Sequence, residues 1–350
     1  MQFEEDFLKL IRLVSPGTEL REGLEMILQR GTGGLIVIGE NEKVLSLIDG
    51  GFHIDCPLTP TALAELAKMD GAIIVSRDIK RILYANTQLI PDYVIPTKER
   101  GTRHRSANRM AIQVDCPVIA ISQTRTIVTL YKGESKYVLK LITELLRRST
   151  QALQALEKYR IAFTETLIEL DDVEFRNEVR LFDVLNVVQK GEVIKRIKDE
   201  VERYIVELGD EARLVNIQFK EILGGSVAEA EQVVQDYARE NSSDAAEQLE
   251  ELSMDELLQT NAILGSLGYD PRPDSLDIAV SPRGYRMLNK IPRLPRVVVE
   301  NVVGSLGNLY NIMKATPLEL TDIDEVGEKR ANAIKLELER LRGRALAGGH

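Results

Sequence analysis

The chain has 350 residues, a formal charge of -10, 44% apolar residues and no tryptophan. That apolar content can bury substantial cores, which excludes a disordered protein, and the length predicts two or three domains. No run reaches the roughly 18 apolar residues of a membrane span, and the opening "MQFEEDFLKL" carries acid where a signal peptide carries base, so a cytoplasmic protein is expected.

Cys56 and Cys116, each in an Asp-Cys-Pro triplet, read as small buried hydrophobes of a reduced compartment. With only His53, His104 and His350 beside them, a zinc site is excluded on ligand supply. The charge is uneven: +2 over residues 1–150, -16 over 151–280 and +4 over 281–350. The acidic middle repels DNA, so only the two ends can welcome phosphates.

Along the chain, helical spacing at about 2–13 and 18–29 leads into "GGLIVIGE", a buried strand opened by glycines. Thr59 offers an N-cap with Pro60 in the first helical position of a helix to about Lys68. "DGAIIVSRD", "PVIAIS" and "TIVTLYKG" read as further strands, with a helix at about 103–115. Mixed elements of this kind predict an α/β N-terminal domain with a central mixed sheet covered on its faces, over residues 1–145. From about Ser135 the alternation stops, and Ile142, Leu145, Leu146, Leu153 and Leu156 mark a long amphipathic helix. An all-α spacer or assembly segment follows over 146–280, with breaks at "LGGS" (223–226) and "YDPRPDS" (269–275). In the all-α region 281–350, "TPLE" at 316–319 is a capping box opening a short helix with Leu318, Leu320 and Ile323. "DEVG" ends it, and Ala331, Ile334, Leu338 and Leu341 stripe a second helix, which together make a helix-hairpin-helix candidate. Whether a further hairpin near "IPRLPRVVVENVV" touches DNA is left open by the residues alone.

No GxxxxGK[ST] sequence occurs, which excludes a P-loop. "GTRHRS" at 101–106 is another way to hold polyphosphate. Gly101 permits close backbone approach, Thr102 and Ser106 offer hydroxyls, and Arg103 and Arg105 offer planar forks at the positive end of a helix. A solvated basic loop is the plainer alternative. Asp70, in "MDGAIIVS", stands where a helix gives way to a strand, and a carboxylate there can bind a divalent metal or help deprotonate a hydroxyl.

"DGA" at 70–72 followed by "GTRHRSA" at 101–107 resembles the DGA and RHR motifs of the diadenylate cyclase domain family. With the helical spacer and the C-terminal hairpin, nearly the whole chain is similar to the DNA integrity scanning family of bacterial diadenylate cyclases. The resemblance implies that two ATP molecules on facing subunits condense to cyclic di-AMP and two pyrophosphates. It implies that Asp70 activates the attacking hydroxyl with Mg2+ or Mn2+, that Gly71 and Leu89 border the nucleotide, and that Thr102, Arg103, His104, Arg105 and Ser106 hold its phosphates. Ser122 and Arg125 match further phosphate-side positions. It also implies a homo-octamer, a nucleoid-associated location, and nonspecific or branched-DNA binding by Val326, Gly327, Lys329 and Arg330 that modulates activity. Ser106 stands where many relatives have threonine, and Gln123 and Thr124 occupy a stretch that is often basic. Glu325-Val326-Gly327 replaces the usual glycine, apolar, glycine, which adds a carboxylate facing DNA phosphate. An ATP-sensing DNA scaffold without turnover is the alternative from another class. A helix-hairpin-helix nuclease or ligase lacks both an acidic metal cluster and a lysine nucleophile motif. His53 and His350 receive no role.

Overall fold

A computed structural model describes residues 2–348 of the chain, so His350 lies outside the described residues. The chain divides into two compact units, residues 1–150 with 202–217, and residues 151–201 with 218–350. Among the described residues no helix is long and apolar enough to cross a membrane.

The described part of the first unit holds eight strands: β1 (Gly34–Ile38), β2 (Ile48–Asp49), β3 (Phe52–Pro57), β4 (Ala72–Val75), β5 (Arg81–Leu89), β6 (Val118–Ser122), β7 (Ile127–Lys132) and β8 (Ser135–Val138). Their order is β2-β5-β4-β1-β6-β7-β8, with β3 also pairing β5. Only β1 and β4 run parallel among these pairs, so the sheet is mixed as expected. β3, β8 and the strand character of Arg81–Leu89 have no signal as strong as the buried runs. In β3 only Ile54 and Cys56 turn even partly inward, and alternate exposed residues blur the pattern.

Period two sorts the central strands onto two cores. Ile36, Ile38, Ile73, Val75, Ile119 and Ile121 face helices Gln2–Leu13, Glu19–Gln29 and Pro60–Leu66, through Leu10, Leu24, Ile27 and Leu63, with Val14 just past the first helix. Leu35, Val37, Ile74, Val118 and Ala120 face the other way, onto Ala107, Met110, Ala111 and Val114 of helix Thr102–Val114. That second helix layer holds the "GTRHRS" loop against one rim of the sheet. The unit closes with a buried carboxylate: Glu207 accepts from the Tyr137 hydroxyl at 2.6 Å and from the Lys140 N–H at 3.2 Å.

The long helix expected from Ile142 runs to Arg176, and a second spans Leu181–Leu208. In the second unit one guanidinium organises the packing. Arg286 is wholly buried and pairs with Glu174 at 2.8 Å and with Asp171. Glu174 also accepts from the Tyr237 hydroxyl at 2.7 Å. Asp236 accepts from the N–H groups of Gly284, Tyr285 and Arg286 at 2.8, 2.7 and 3.1 Å, so it caps helix Tyr285–Asn289 from another element.

The C-terminal part is built twice, with an offset of 32 positions. Helix Tyr285–Asn289 corresponds to Pro317–Thr321, and the following helices begin at Arg296 and Glu328. Leu288 and Leu320, Ile291 and Ile323, Val299 and Ala331, and Val302 and Ile334 are matched buried pairs. The turns match too. Leu294 N–H bonds the Ile291 carbonyl as Val326 N–H bonds that of Ile323, and Arg293 and Glu325 sit at φ 62° and 66°. The capping box at Thr316 forms as expected, whereas Leu318 is 79% exposed and Ile323 lies beyond the helix.

Arg286→Ala strands the buried Glu174 carboxylate and the half-buried Asp171 beside it and is expected to cost about 3–5 kcal/mol, read as a lower urea midpoint. Arg286→Lys restores little of this, because an ammonium cannot span Asp171 and Glu174 with a planar fork.

Candidate nucleotide site

Two glycines let the site close. Gly71, between Asp70 and β4, has so little room that a Cβ there would lie 2.5 Å from the Asn86 backbone. Asn86 is itself left-handed (φ 56°), where β5 changes register against β4. The Thr87 hydroxyl then donates to the Ala72 carbonyl at 3.1 Å and pins the turn. Gly33, before β1, meets the Arg103 guanidinium, where a Cβ would lie 2.1 Å from Nη1.

These contacts bring the β4 entrance beside the start of helix Thr102–Val114. Gly101 is its N-cap at φ 91°, no side chain caps it, and its first turn carries no acid. Its leading N–H groups are therefore free to meet an anion. Arg103 Nη2 lies 3.5 Å from the Asp70 carboxylate, which is fully exposed. Between them opens a cavity of about 1200 Å³.

Asp70, Gly71 and Leu89 line this cavity on one side, and Thr102, Arg103, His104 and Ser106 on another. Ser122 and Arg125 complete it from the turn after β6, which the Ser122 hydroxyl fixes by accepting the Arg125 N–H at 3.2 Å. Arg105 is exposed and does not line the cavity. Successive helical residues turn by about 100°, which points position 105 away from the arc of 102, 103, 104 and 106. Gln123 and Thr124 also line the wall, without the positive charge often found there.

Sequence reasoning passed over Lys98, Glu99, Arg100 and Lys136, which line the cavity as well. The run "TKERG" ahead of the loop was the available signal for three of them. Lys136 comes from β8, thirty-odd positions on, and bonds Glu99 at 2.6 Å. His104 Nδ1 meets the buried Tyr131 hydroxyl at 3.0 Å. Burial holds the imidazole below its ordinary range, helped by Lys136, Arg103 and Arg125 and opposed by Glu99.

A divalent ion fits this donor set only with help. Among the described residues no cluster of three or more His, Cys, Asp or Glu gathers, so Asp70 would offer its carboxylate alone. Magnesium-like ions are commonly held this way, by one or two carboxylates, waters and substrate phosphates.

In the second hairpin Val326 is buried and supports the turn, while Gly327 and Lys329 are exposed. Arg330 is held by Glu325, at 3.4 Å to its carboxylate. Lys290, Arg293 and Arg296 flank the matching first turn, and Asp322, Asp324, Glu325 and Glu328 flank the second.

Gly71→Ala is expected to cost about 1–3 kcal/mol by overpacking against Asn86, seen as a lower melting temperature together with weaker nucleotide binding.

Two family profiles match the chain. "DisA bacterial checkpoint controller nucleotide-binding" covers residues 21–136, and "DisA bacterial checkpoint controller linker region" covers 139–276. A DNA integrity scanning protein DisA from Acetivibrio thermocellus is 46% identical over 95% of this chain and 93% of its own. Its counterpart from Carboxydothermus hydrogenoformans is 47% identical over 97% of each. A solved structure of a Staphylococcus aureus DacA double mutant matches 39% of this chain and 89% of its own at 20% identity, with a TM-score of 0.29, too distant to carry an argument. The chain belongs to the DNA integrity scanning protein family, DisA, and its nucleotide-binding part is a diadenylate cyclase, a nucleotidyltransferase.

Proposed function

We propose that the chain condenses two ATP molecules across the boundary between two copies of its first unit. The observation that carries this reading is one open cavity shared by the Asp70 carboxylate and the uncapped, basic start of helix Thr102–Val114. Each 3′-hydroxyl oxygen forms a bond to the α-phosphorus of the other nucleotide. The α–β anhydride bond breaks, pyrophosphate leaves, and the hydroxyl proton passes to a base. Such a reaction needs in-line positioning and charge neutralisation more than covalent catalysis.

In this reading Gly71 and Leu89 border the nucleoside, and Thr102, Arg103 and Ser106 hold phosphates with the helix N–H groups. Ser122 and Arg125 approach the distal phosphates. Asp70 lowers the cost of deprotonating the attacking hydroxyl. The enzyme class works with a divalent metal, Mg2+ or Mn2+ here, which would be held by Asp70 and would supply charge neutralisation at the reacting phosphate. One cavity holds one nucleotide, so a second copy completes the reaction. The exposed Tyr93, Val94 and Leu141 of the first unit are apolar surface of the sort that a copy–copy contact covers, in line with a homo-octamer.

Residues 281–350 are the DNA-binding part in this proposal, acting in the cytoplasm on the nucleoid, and the acidic spacer over 146–280 serves assembly. Gly327, Lys329 and Arg330 contact the backbone of nonspecific or branched DNA, with Val326 beneath them, and the bound DNA modulates turnover. The turn of Arg293 and Arg296 carries no carboxylate, so phosphate is drawn to it more than to its acidic repeat.

Incubating the protein with ATP and Mn2+ or Mg2+ is expected to yield cyclic di-AMP, and Asp70→Asn to lower the rate by about 10²-fold or more with the melting temperature kept. Nucleotide binding with no product under either metal would favour the ATP-sensing scaffold instead.

Glu325→Gly removes the carboxylate that pairs with Arg330 while suiting the left-handed backbone. Duplex DNA is expected to bind more tightly to it and more weakly to Arg293→Glu, with both differences shrinking as salt rises in a fluorescence anisotropy titration. Equal affinities at low salt would remove the hairpins from the DNA surface.

A further inference from the structure

Among the described residues strand β8 ends the sheet and pairs with β7 alone, from Ser135 opposite Lys132 to Val138 opposite Thr129. Its two faces go to different places. Lys136 and Val138 line the cavity, and Lys136 bonds Glu99 of the same wall at 2.6 Å. Tyr137, and Leu139 just beyond the strand, turn the other way and pack on the core that the first helices cover. An edge strand has a neighbour on one side only, so its seating depends on what grips it from behind.

That grip comes from Glu207. It is 4% exposed and lies in the last turn of helix Leu181–Leu208, whose residues up to 201 belong to the second unit. Its carboxylate accepts from the Tyr137 hydroxyl at 2.6 Å and from the Lys140 N–H at 3.2 Å, and so holds the end of β8 at two points. Lys140 Nζ donates to the Tyr137 oxygen at 3.3 Å and lies 3.6 Å from the same carboxylate. The helix end is fixed in turn: Val206 packs on the first core, and the Asp210 N–H donates to the Pro16 carbonyl at 3.2 Å. A buried acid is costly to desolvate, and an apolar side chain of similar volume often stabilises a fold as well or better. What the carboxylate adds is direction, because two donors must meet two fixed oxygens.

We propose that Glu207 is a positioning residue of the cyclase, which seats edge strand β8 from behind and so sets Lys136 on the cavity wall, where its charge draws the polyphosphate of the bound nucleotide. The proposal rests on the nucleotide reading of the cavity. Lys136 is 43% exposed, so its ammonium is shared between Glu99 and whatever fills the cavity. A helix that begins in the second unit thereby supplies a support for the first unit's site that residues 1–145 do not contain.

ATP titrations of full-length Glu207→Leu, Lys136→Met and the double variant test this, with amide hydrogen exchange read alongside. Glu207→Leu is expected to weaken ATP binding about tenfold and to raise exchange over 135–139 while β1, β4 and β6 stay protected. In the Lys136→Met background the same substitution is expected to change affinity by less than about twofold, since the residue through which it acts is gone. Glu207→Gln still accepts from the Lys140 N–H and can donate to the Tyr137 oxygen, so most of the affinity should return. Should Glu207→Leu not fold, Tyr137→Phe removes a single oxygen from the grip and is expected to show the same pattern at about threefold. Wild-type ATP affinity in either folded variant overturns the proposal. So does a double variant in which the two losses multiply in full, or exchange that rises across the whole sheet, which is the mark of a merely structural residue. A wild type that binds no ATP overturns the reading of the cavity itself, and this proposal with it.

Discussion

Everything at the candidate nucleotide site depends on how closely two backbones approach at Gly71. A Cβ at that position would press into Asn86, and Asn86 can sit there only because β5 turns through a left-handed residue as it shifts register against β4. That contact places Asp70 at the rim of the sheet, fully exposed, instead of burying it in the β4 core. Gly33 does the same service for Arg103 from the β1 side. β4 and β1 are neighbours and run parallel, so both glycines open onto one edge. Acid and guanidinium meet at 3.5 Å without the close pairing that would neutralise them, and both stay available to a ligand.

The two units handle charge in opposite ways. At the cavity the charged groups are exposed or half-buried, and water, metal or phosphate can reach them. In the second unit Arg286, Glu174 and Asp236 are withdrawn from solvent: Asp236 accepts from three backbone N–H groups, and Arg286 pairs with Glu174 at 2.8 Å while its Nε makes no hydrogen bond among the described residues. Buried charges cost several kcal/mol each unless fully partnered, so such a network tolerates few geometries. It fixes where helix Tyr285–Asn289 begins, and with it the first of the two repeated hairpins. The repeat keeps the turn and the buried positions but inverts the charge, from Arg293 and Arg296 to Glu325 and Glu328. Turn geometry and apolar packing are shared needs of both halves. The exposed charges answer only to whatever lies outside.

Much of this was legible beforehand where one residue type has one physical use. The apolar runs of β1, β4, β6 and β7, the Thr59-Pro60 and Thr316–Glu319 helix starts, and the pairing of "DGA" with "GTRHRS" all carry local signals. β3 and β8 escaped because an edge strand with one wet face lacks a continuous apolar run. The exclusion of Arg105 from the cavity was a matter of helical phase, which six residues of composition do not contain. Tyr131 and Lys136 were missed because their neighbours at the site are far away in the chain.

The amino-acid sequence by itself determined the fold class, the family and the two motifs that the proposed site draws on, since periodicity, caps and rare motifs are local properties of a chain. Tertiary structure alone decided that Asp70 and Arg103 share a rim, that His104 leans on Tyr131, and that one guanidinium knits Asp171 to Glu174. Those facts depend on strand order and on close approach between distant residues, and no window of neighbouring residues encodes either.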